Sequence, residues 1–526
     1  MTRSRTGALL GYAAVFVALT LPLAIHPLAA VISHWDADIE HSLWVQWWFV
    51  HALTVPGADL FRTEMIAHPQ VVGLQLADLN LAVNAASALL SPILGLAGAY
   101  NALLLCSFVA SGGLCARLAR QLGAEPAAAW LAGLTFAASP YWQSCALNGW
   151  GYLVHIWVFP LAFLALEHAR AGPSPRRIAG VALALALAFH VTPYYFLYLS
   201  VLMGLYLVPD APRLWRGLRT GGVRLGLAFV LPLGLLIAPR ALPMLWAAAE
   251  PLVVHHGPQN TALAASLAEL VLPLASTVEA RVPRLGYGVV FVGYLTLATL
   301  ALGAWVSPRR ALYARWGIPG LVMVLLALGP ALKIVDGAPL DIPLPARWLQ
   351  RLPGFELMTN HWRWMLPATF CFSALLGPAA TDLVRYARAR ELPFARWGVA
   401  LLGLAFACEV VLVFPIPLEK PLWWVRPSPI AAQLREHPEI GAIIDRTRTP
   451  KLNQTVHGKP LALGWLPRLP AAVRAANERL VAACRDLDPD CLAAHGIDAL
   501  ILTDETALLI TRRGGRVVAL PLQATP

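Results

Sequence analysis

The stretch "SHWDADIEHSLWVQWW", residues 33–48, follows the first long apolar run of the chain and combines acids, histidines and tryptophans. Such polar crowding contrasts with the rest of the 526-residue chain, of which 58% is hydrophobic and 13% charged. Average soluble domains are about 25% charged. The mean hydropathy of +0.62 and repeated apolar runs of roughly 18 or more residues predict a polytopic helical membrane protein. The quoted stretch is therefore expected where the chain first leaves the membrane.

Working outward from this stretch, we assign eleven apolar segments as membrane spans. They are 7–32, 100–118, 126–141, 153–169, 178–191, 194–208, 224–240, 286–306, 315–332, 363–381 and 397–415. The first is interpreted as an uncleaved span, because its apolar run is longer than that of a usual signal peptide. Two of them, 178–191 and 194–208, are short for a bilayer, which favours broken or tilted helices.

Arginine clusters between the spans predict the orientation. They comprise Arg3 and Arg5; Arg117 and Arg120; Arg170, Arg176 and Arg177; Arg213, Arg216, Arg219 and Arg224; Arg309, Arg310 and Arg315; and Arg385, Arg388, Arg390 and Arg396. These short basic connections alternate with the other connections, which places them in the cytoplasm and the amino terminus inside. Segment 80–97 is then a juxtamembrane or re-entrant helix, because counting it as a span would invert the later topology.

This topology predicts two domains in a multi-pass protein of the bacterial cytoplasmic (inner) membrane. An all-α transmembrane domain covers 1–415, with outer loops at 33–99, 241–285 and 333–362, and an extracytoplasmic α/β domain covers 416–526. In the second domain, helical and strand-like patterns alternate, and "QTVHGKP" reads as a loop. Cys484 and Cys491 lie there, so an extracytoplasmic location makes a disulfide between them plausible.

The net charge of +11 does not indicate nucleic-acid binding. Only four of the 40 basic residues are lysines, and the arginines cluster between apolar runs as the positive-inside rule requires. No contiguous face of basic and aromatic residues is visible. We therefore expect the lipid bilayer, and no nucleic acid, as a partner.

Asp36 and Asp38 are the candidate catalytic residues of the opening stretch. Either they are solvated acids at the positive end of a helix dipole, or one acts as a general base or helps to hold a divalent cation such as Mg²⁺ or Mn²⁺. His34, Glu40 and His41 are neighbouring candidates, although no spacing here matches a zinc site. The tryptophans are interpreted as anchors of a helix that lies in the membrane interface.

Further candidates lie at predicted outer positions. "MTNHWRWMLP", residues 358–367, places His361 and Arg363 at the start of a span, where an arginine either binds a lipid phosphate or snorkels to the interface. Arg347 is a second outer arginine for such a phosphate. Other cavity candidates are His155, which alternatively bonds a neighbouring helix, and His255 and His256, which alternatively lie in a solvated loop.

A first span followed by an outer loop that begins with the acidic "WDAD" resembles the amino-terminal region of the GT-C superfamily of membrane glycosyltransferases. Five stretches are similar to a bacterial branch of GT-C-like proteins: "AHPQ" (67–70), "NALLLCSFVASGGLCARLARQLG" (101–123), "FAASPYW" (136–142), "LNGWGYLVHIWVFPLAFLALEHAR" (147–170) and "QTVHGKPLALGWLPRLP" (454–470). The resemblance implies a polyprenyl-phosphate-linked sugar donor and a glycan, lipid or protein acceptor on the outer face. It also implies that an acid of the first outer loop, here Asp36 or Asp38, deprotonates the acceptor or helps to bind a metal.

Two other functions stay open from the sequence. If the protein were a transporter or flippase of lipid-linked sugars, polar residues would occur along several spans and the sequence would contain an internal repeat. Few such residues and no repeat are visible. A non-catalytic envelope assembly protein on the same fold would tolerate loss of both aspartates, because a fold does not guarantee activity.

Overall fold

The computed structural model is mostly helical, with a small carboxyl-terminal sheet. It describes residues 2–213, 222–249, 261, 263–273, 289–335, 337–352, 355, 358–393, 395–414, 416–484, 488–513 and 516–523. The α-helices are Thr2–Leu19, Leu21–Ile25, Asp36–Thr54, Leu81–Gln121, Pro126–Ala137, Pro140–Leu147, Val158–Ala171, Pro175–Val191, Pro193–Leu207, Val223–Ala249, Leu267–Val271, Tyr294–Val306, Arg310–Ala327, Ala346–Leu349, Met365–Ala389, Gly398–Leu412, Pro429–Arg435, Pro450–His457, Ala471–Ala483 and Pro489–Ala494. Short 3-10 helices are Gly151–Leu153, Val208–Asp210, His361–Trp364 and Ala395–Trp397. The strands are Ala30–Ile32, Arg62–Thr63, Val72–Gly73, Leu422–Trp424, Ile443–Asp445, Ala499–Thr503, Thr506–Arg513 and Arg516–Gln523.

Within the described residues, seven helical segments are long and apolar enough to cross a membrane. They are Leu81–Gln121, Gly151–Ala171, Pro193–Arg213, Val223–Ala248, Arg310–Ala327, His361–Ala389 and Ala395–Leu412. Two shorter apolar helices, Thr6–Leu19 and Tyr294–Val306, accompany them. The predicted class, a multi-pass helical membrane protein with a small carboxyl-terminal sheet, is confirmed, whereas the count of eleven spans stays a prediction.

The chain divides into two compact units. The helical unit consists of Met1–Ile25, Ala102–Pro239 and His256–Pro421, and the mixed unit of His26–Asn101, Arg240–His255 and Leu422–Pro526. The predicted boundary near 415 is not tested by this division and stays a prediction.

Close packing in the helical unit depends on small side chains. Met365–Ala389 is its most deeply buried membrane helix. A Cβ atom added to Gly377 on this helix would come within 3.3 Å of Ala119, Ala124 and Ala132. Small residues let membrane helices approach closely, where dispersion replaces the hydrophobic effect as the attraction. The alanine-rich sequence is thus the physical basis of this packing.

The mixed unit contains the four-stranded sheet. Ile443–Asp445 pairs in parallel with Ala499–Thr503, and the two following strands add antiparallel neighbours. The buried core on one face includes Ile430, Leu434 and Ile501, and the structure pairs Cys484 with Cys491 in a disulfide. These strands and helices follow the alternating pattern that the sequence shows after residue 416.

Segment 80–97 begins with the first of two helices that meet at a kink. It belongs to Leu81–Gln121, a 41-residue helix that is interrupted at Gly95, where φ is 69° and ψ is 176°. Only glycine adopts this backbone conformation readily. The kink therefore lies at this glycine, and the assignment of 80–97 as a juxtamembrane or re-entrant helix stays a prediction.

Two local predictions in the mixed unit are wrong. Trp44 and Trp48 do not anchor an exposed interfacial helix, because both are buried in a protein core with Ile66, Leu74 and Leu466. "QTVHGKP" is not a loop throughout, since Pro450–His457 is helical and ends at Gly458 with φ of 66°. Helical periodicity alone does not distinguish lipid from protein as the neighbour, and proline at the first helical position followed by glycine after the last marks a short helix.

Candidate functional site

Strand pairing fixes where the acidic stretch begins. Ala30–Ile32 pairs antiparallel with Leu422–Trp424, so the start of the carboxyl-terminal segment runs beside the end of the first apolar region. Ser33 Oγ then accepts a hydrogen bond from the Trp35 amide, and the helix Asp36–Thr54 starts directly afterwards. Asp36 and Asp38 consequently occupy its first turn, where the helix dipole favours negative charge.

Asp36 is already bound by two donors. Trp423 Nε1 donates to one carboxylate oxygen at 2.9 Å, and Arg448 Nη2 donates to the other at 2.7 Å. The arginine side chain is 87% exposed, so water screens this ion pair and its contribution to stability is small. Asp36 therefore connects the helix start to the carboxyl-terminal segment.

Glu40 caps the helix Pro450–His457. Its Oε1 atom accepts hydrogen bonds from the amides of Lys451 at 2.7 Å and Leu452 at 3.0 Å, both in the first turn of that helix. The residue is buried, and burial raises the pKa of the Glu40 carboxyl group, although the Lys451 ammonium opposes this rise. These contacts give Glu40 a structural function.

His41 and Lys451 form a buried pair. His41 Nε2 donates to the Ala77 carbonyl at 2.9 Å, which leaves Nδ1 to accept from Lys451 Nζ at 3.1 Å. Burial and the neighbouring ammonium hold the pKa of His41 well below its usual value. The lysine Nζ also lies 4.5 Å from the Trp465 ring centre, and burial lowers its pKa. Both ring nitrogens of His41 are therefore engaged, and the histidine is neutral.

Asp38 is half-buried in the same region. Its negative charge raises the pKa of the buried Lys451 ammonium and so favours the charged lysine. The structure thus brings Asp36, Asp38, Glu40 and His41 together with Lys451, which was not predicted from the sequence as a site residue. Lysine is rare in this chain, and that rarity is the sequence feature that could have marked Lys451 as a candidate.

The acidic stretch does not provide a ready divalent-metal site. Asp36, Glu40 and His41 are engaged by nitrogen donors, and Lys451 supplies a positive charge beside Asp38. Among the described residues, the only group of three side chains with suitably close ligand atoms is Cys484, Cys491 and His495, and its two cysteines are joined in the disulfide. We derive no step through Mg²⁺ or Mn²⁺.

In the helical unit, Arg363 lies in a buried aromatic cage. It belongs to the 3-10 helix His361–Trp364, immediately before the buried helix Met365–Ala389, and is 5% exposed. Four rings lie 5.4–5.9 Å from its guanidinium carbon: Trp150, Tyr152, Tyr194 and Trp362. Nη2 donates to the Tyr152 hydroxyl at 3.0 Å, and Nε has no hydrogen-bond partner among the described residues.

This guanidinium has no ion-pair partner within the part of the chain that the structure describes. An arginine buried without a carboxylate is unusual, because removing a charge from water is costly. The cage was missed by the sequence reading, since its rings come from stretches near residues 150, 194 and 362 that only the fold brings together.

The other sequence candidates have different surroundings. His361 is buried, and its Nε2 lies 3.2 Å from Gln350 Nε2, whereas Arg347 is exposed on the helix Ala346–Leu349. His34 is half-buried and His155 is buried. His255 and His256 lie outside the described residues.

No protein-family model and no curated protein matches the sequence. Among solved structures, the chain is similar to the apo oligosaccharyltransferase from Archaeoglobus fulgidus, with a TM-score of 0.51, 12% identity, and coverage of 94% of this chain and 69% of that one. It is also similar to ArnT from Cupriavidus metallidurans bound to undecaprenyl phosphate, with a TM-score of 0.50, 12% identity and 98% coverage of both chains. At this identity the likeness concerns the fold alone.

Proposed function

We propose that this protein is a membrane glycosyltransferase that moves a sugar from a polyprenyl-phosphate-linked donor to an acceptor on the outer face of the cytoplasmic membrane. The observation that carries the proposal is the buried guanidinium of Arg363, which forms no ion pair with a carboxylate of the described residues. The GT-C fold supports the reaction class, and a structure of similar fold holds undecaprenyl phosphate.

The surroundings of Arg363 suit an anionic ligand. Aromatic faces attract a cation but supply no full negative charge, so the guanidinium keeps its positive charge for a ligand. A phosphate accepts two parallel N–H bonds from arginine, and such bonds strengthen where water is excluded. Arg363 also immediately precedes a membrane helix, and lipid headgroups lie at the ends of such helices. A lipid phosphate meets all three requirements.

The reaction itself needs a base and a stabilised leaving group. The acceptor hydroxyl oxygen attacks the anomeric carbon of the sugar, and the bond between that carbon and the phosphate oxygen breaks. The hydroxyl proton passes to a carboxylate, and polyprenyl phosphate leaves with the bonding electrons. Arg363 stabilises the negative charge that develops on the leaving phosphate.

Asp38 is the preferred base. Trp423 and Arg448 engage both carboxylate oxygens of Asp36, which assigns this residue to holding the helix start. Glu40 is held by two backbone amides, which leaves it a capping residue. In the proposed reaction Asp38, which lies beside the Lys451 ammonium, takes up the hydroxyl proton.

The test is release of polyprenyl phosphate from a panel of polyprenyl-phosphate sugars by the purified full-length protein, with a bacterial envelope extract as acceptor. Arg363→Gln should reduce release by about 10²–10³-fold, as expected when one donor to a developing negative charge is lost. Arg351→Gln, at an exposed arginine, is the matched control and should stay near wild type. Equal release by wild type and Arg363→Gln would overturn the assignment.

A further inference from the structure

One tryptophan is exposed in the stretch "ALGWLPRLP", residues 462–470 of the mixed unit. Trp465 is 39% exposed, whereas the other residues of this stretch are buried or half-buried. The backbone on either side is closely packed. A Cβ atom added to Gly464 would lie 2.2 Å from Ile66, and Leu466 belongs to a buried core. The chain therefore holds the indole at the surface from both sides.

Buried groups close one face of the indole. Lys451 Nζ lies 4.5 Å from the centre of the Trp465 ring, and this lysine is 2% exposed. The ring of His41, which is also buried, stands nearly perpendicular to the indole, with 5.8 Å between the ring centres. An ammonium over an aromatic face is attracted by the ring quadrupole, so the lysine fixes the orientation of the ring. The exposed part of Trp465 is consequently the opposite face and the outer edge.

The proposed base lies in the same cluster. Asp38 is half-buried in the first turn of the helix Asp36–Thr54, beside the Lys451 ammonium. The cluster thus combines a fixed, exposed aromatic face with a carboxylate. A sugar ring matches both features, because its C–H groups form an apolar face and its hydroxyl groups form hydrogen bonds at its rim. Ligand sites commonly combine aromatic walls with a few fixed polar groups in this way.

We propose that Trp465 binds a glycan acceptor by stacking its exposed face against a pyranose ring, an assignment that rests on the proposed function. A hydroxyl of the neighbouring sugar unit gives its proton to Asp38, and its oxygen bonds to the anomeric carbon of the donor sugar. The bond from that carbon to the lipid phosphate oxygen breaks, and the phosphate keeps the bonding electrons. Trp465 makes and breaks no bond. It determines which acceptor is positioned, and it favours a carbohydrate over a peptide or an acyl chain.

The experiment compares acceptor affinity with turnover in the purified full-length protein. Sugar transfer from a polyprenyl-phosphate sugar is measured against the concentration of a bacterial envelope extract. Trp465→Ala should raise the concentration for half-maximal transfer about tenfold, a loss typical of one aromatic contact at a binding site, and should leave the maximal rate near wild type. Trp465→Phe, which keeps an aromatic face, should restore most of the affinity. Trp305→Ala, at a tryptophan that is 79% exposed on the helical unit, is the matched control and should equal wild type.

Glycan binding is also measured without a donor. Retention of glycans from the same extract by the immobilised wild-type protein should fall about tenfold in Trp465→Ala. Periodate, which opens sugar rings at vicinal diols, should abolish both retention and transfer when the extract is treated with it, whereas protease treatment should preserve both.

Equal glycan retention by wild type and Trp465→Ala would overturn the proposal. An acceptor that survives periodate and is destroyed by protease would also overturn it, and this arm needs no variant. If glycans are retained through Trp465 but no donor is cleaved, the proposed reaction fails and the glycan site stands. Transfer that is indifferent to Trp465→Ala has the opposite meaning, because the reaction then stands and the glycan site fails.

Discussion

Replacing Arg363 with methionine should separate stability from ligand binding. The buried guanidinium loses several kcal/mol of hydration. Four rings at 5.4–5.9 Å stabilise the buried guanidinium by about 0.5–1 kcal/mol each. The hydrogen bond to Tyr152 contributes about 1.5 kcal/mol. These contributions nearly cancel. Arg363→Met should therefore change the free energy of unfolding of the ligand-free protein by less than about 2 kcal/mol, compared with about 3–5 kcal/mol for breaking a buried ion pair.

The assay is denaturant unfolding in detergent, with and without polyprenyl phosphate. At a ligand concentration of about 100 Kd, binding should stabilise wild type by about 2.7 kcal/mol, and this gain should be absent in Arg363→Met. Arg351→Met is the control and should retain the gain. Two results would refute the reasoning: a loss above about 3 kcal/mol without ligand, which indicates a structural ion pair, or a ligand-induced gain that persists in Arg363→Met.

Three further predictions concern the mixed unit. Asp38→Asn should reduce polyprenyl phosphate release by about 10²–10⁴-fold and Asp36→Asn by much less; the reverse order would move the base to Asp36. Burial lowers the pKa of His457 to about 3, so the unfolded state alone takes up its proton as the pH falls below about 6.5. Between pH 7 and 5, wild type should therefore lose about 2 kcal/mol more unfolding free energy than His457→Gln, and parallel losses would contradict this. Trp44→Ala should cost about 3–5 kcal/mol in denaturant unfolding, because it empties a buried site and removes the hydrogen bond to Gln454; a loss below about 1 kcal/mol would mean that the site is not packed as described.

Hydropathy predicted the membrane class because it reflects a strong physical constraint. A membrane-spanning backbone must satisfy its own hydrogen bonds, so each span requires a long apolar helix. The interpretation of the tryptophan-rich stretch as a helix is correct, but the sequence could not predict what covers the apolar face of that helix. The burial of Trp44 depends on Leu466, more than 400 residues later in the chain.

The sites were predicted less completely, for the same reason. Asp36, Asp38 and Arg363 stand out in the sequence because charge is scarce there, yet their partners are distant. Lys451 meets His41, and Tyr152 and Tyr194 meet Arg363, only after folding.

The central claim is tested most directly by counting the polyprenyl phosphate released per protein molecule, with sugar transferred to acceptor counted in parallel. Glycosyl transfer predicts more than one equivalent released from at least one donor, matched by transferred sugar. It also predicts a loss of both products in Asp38→Asn. If lipid phosphate binds but no donor is cleaved, although acceptors from a bacterial envelope extract are present, glycosyl transfer is contradicted and transport or assembly becomes the function to pursue.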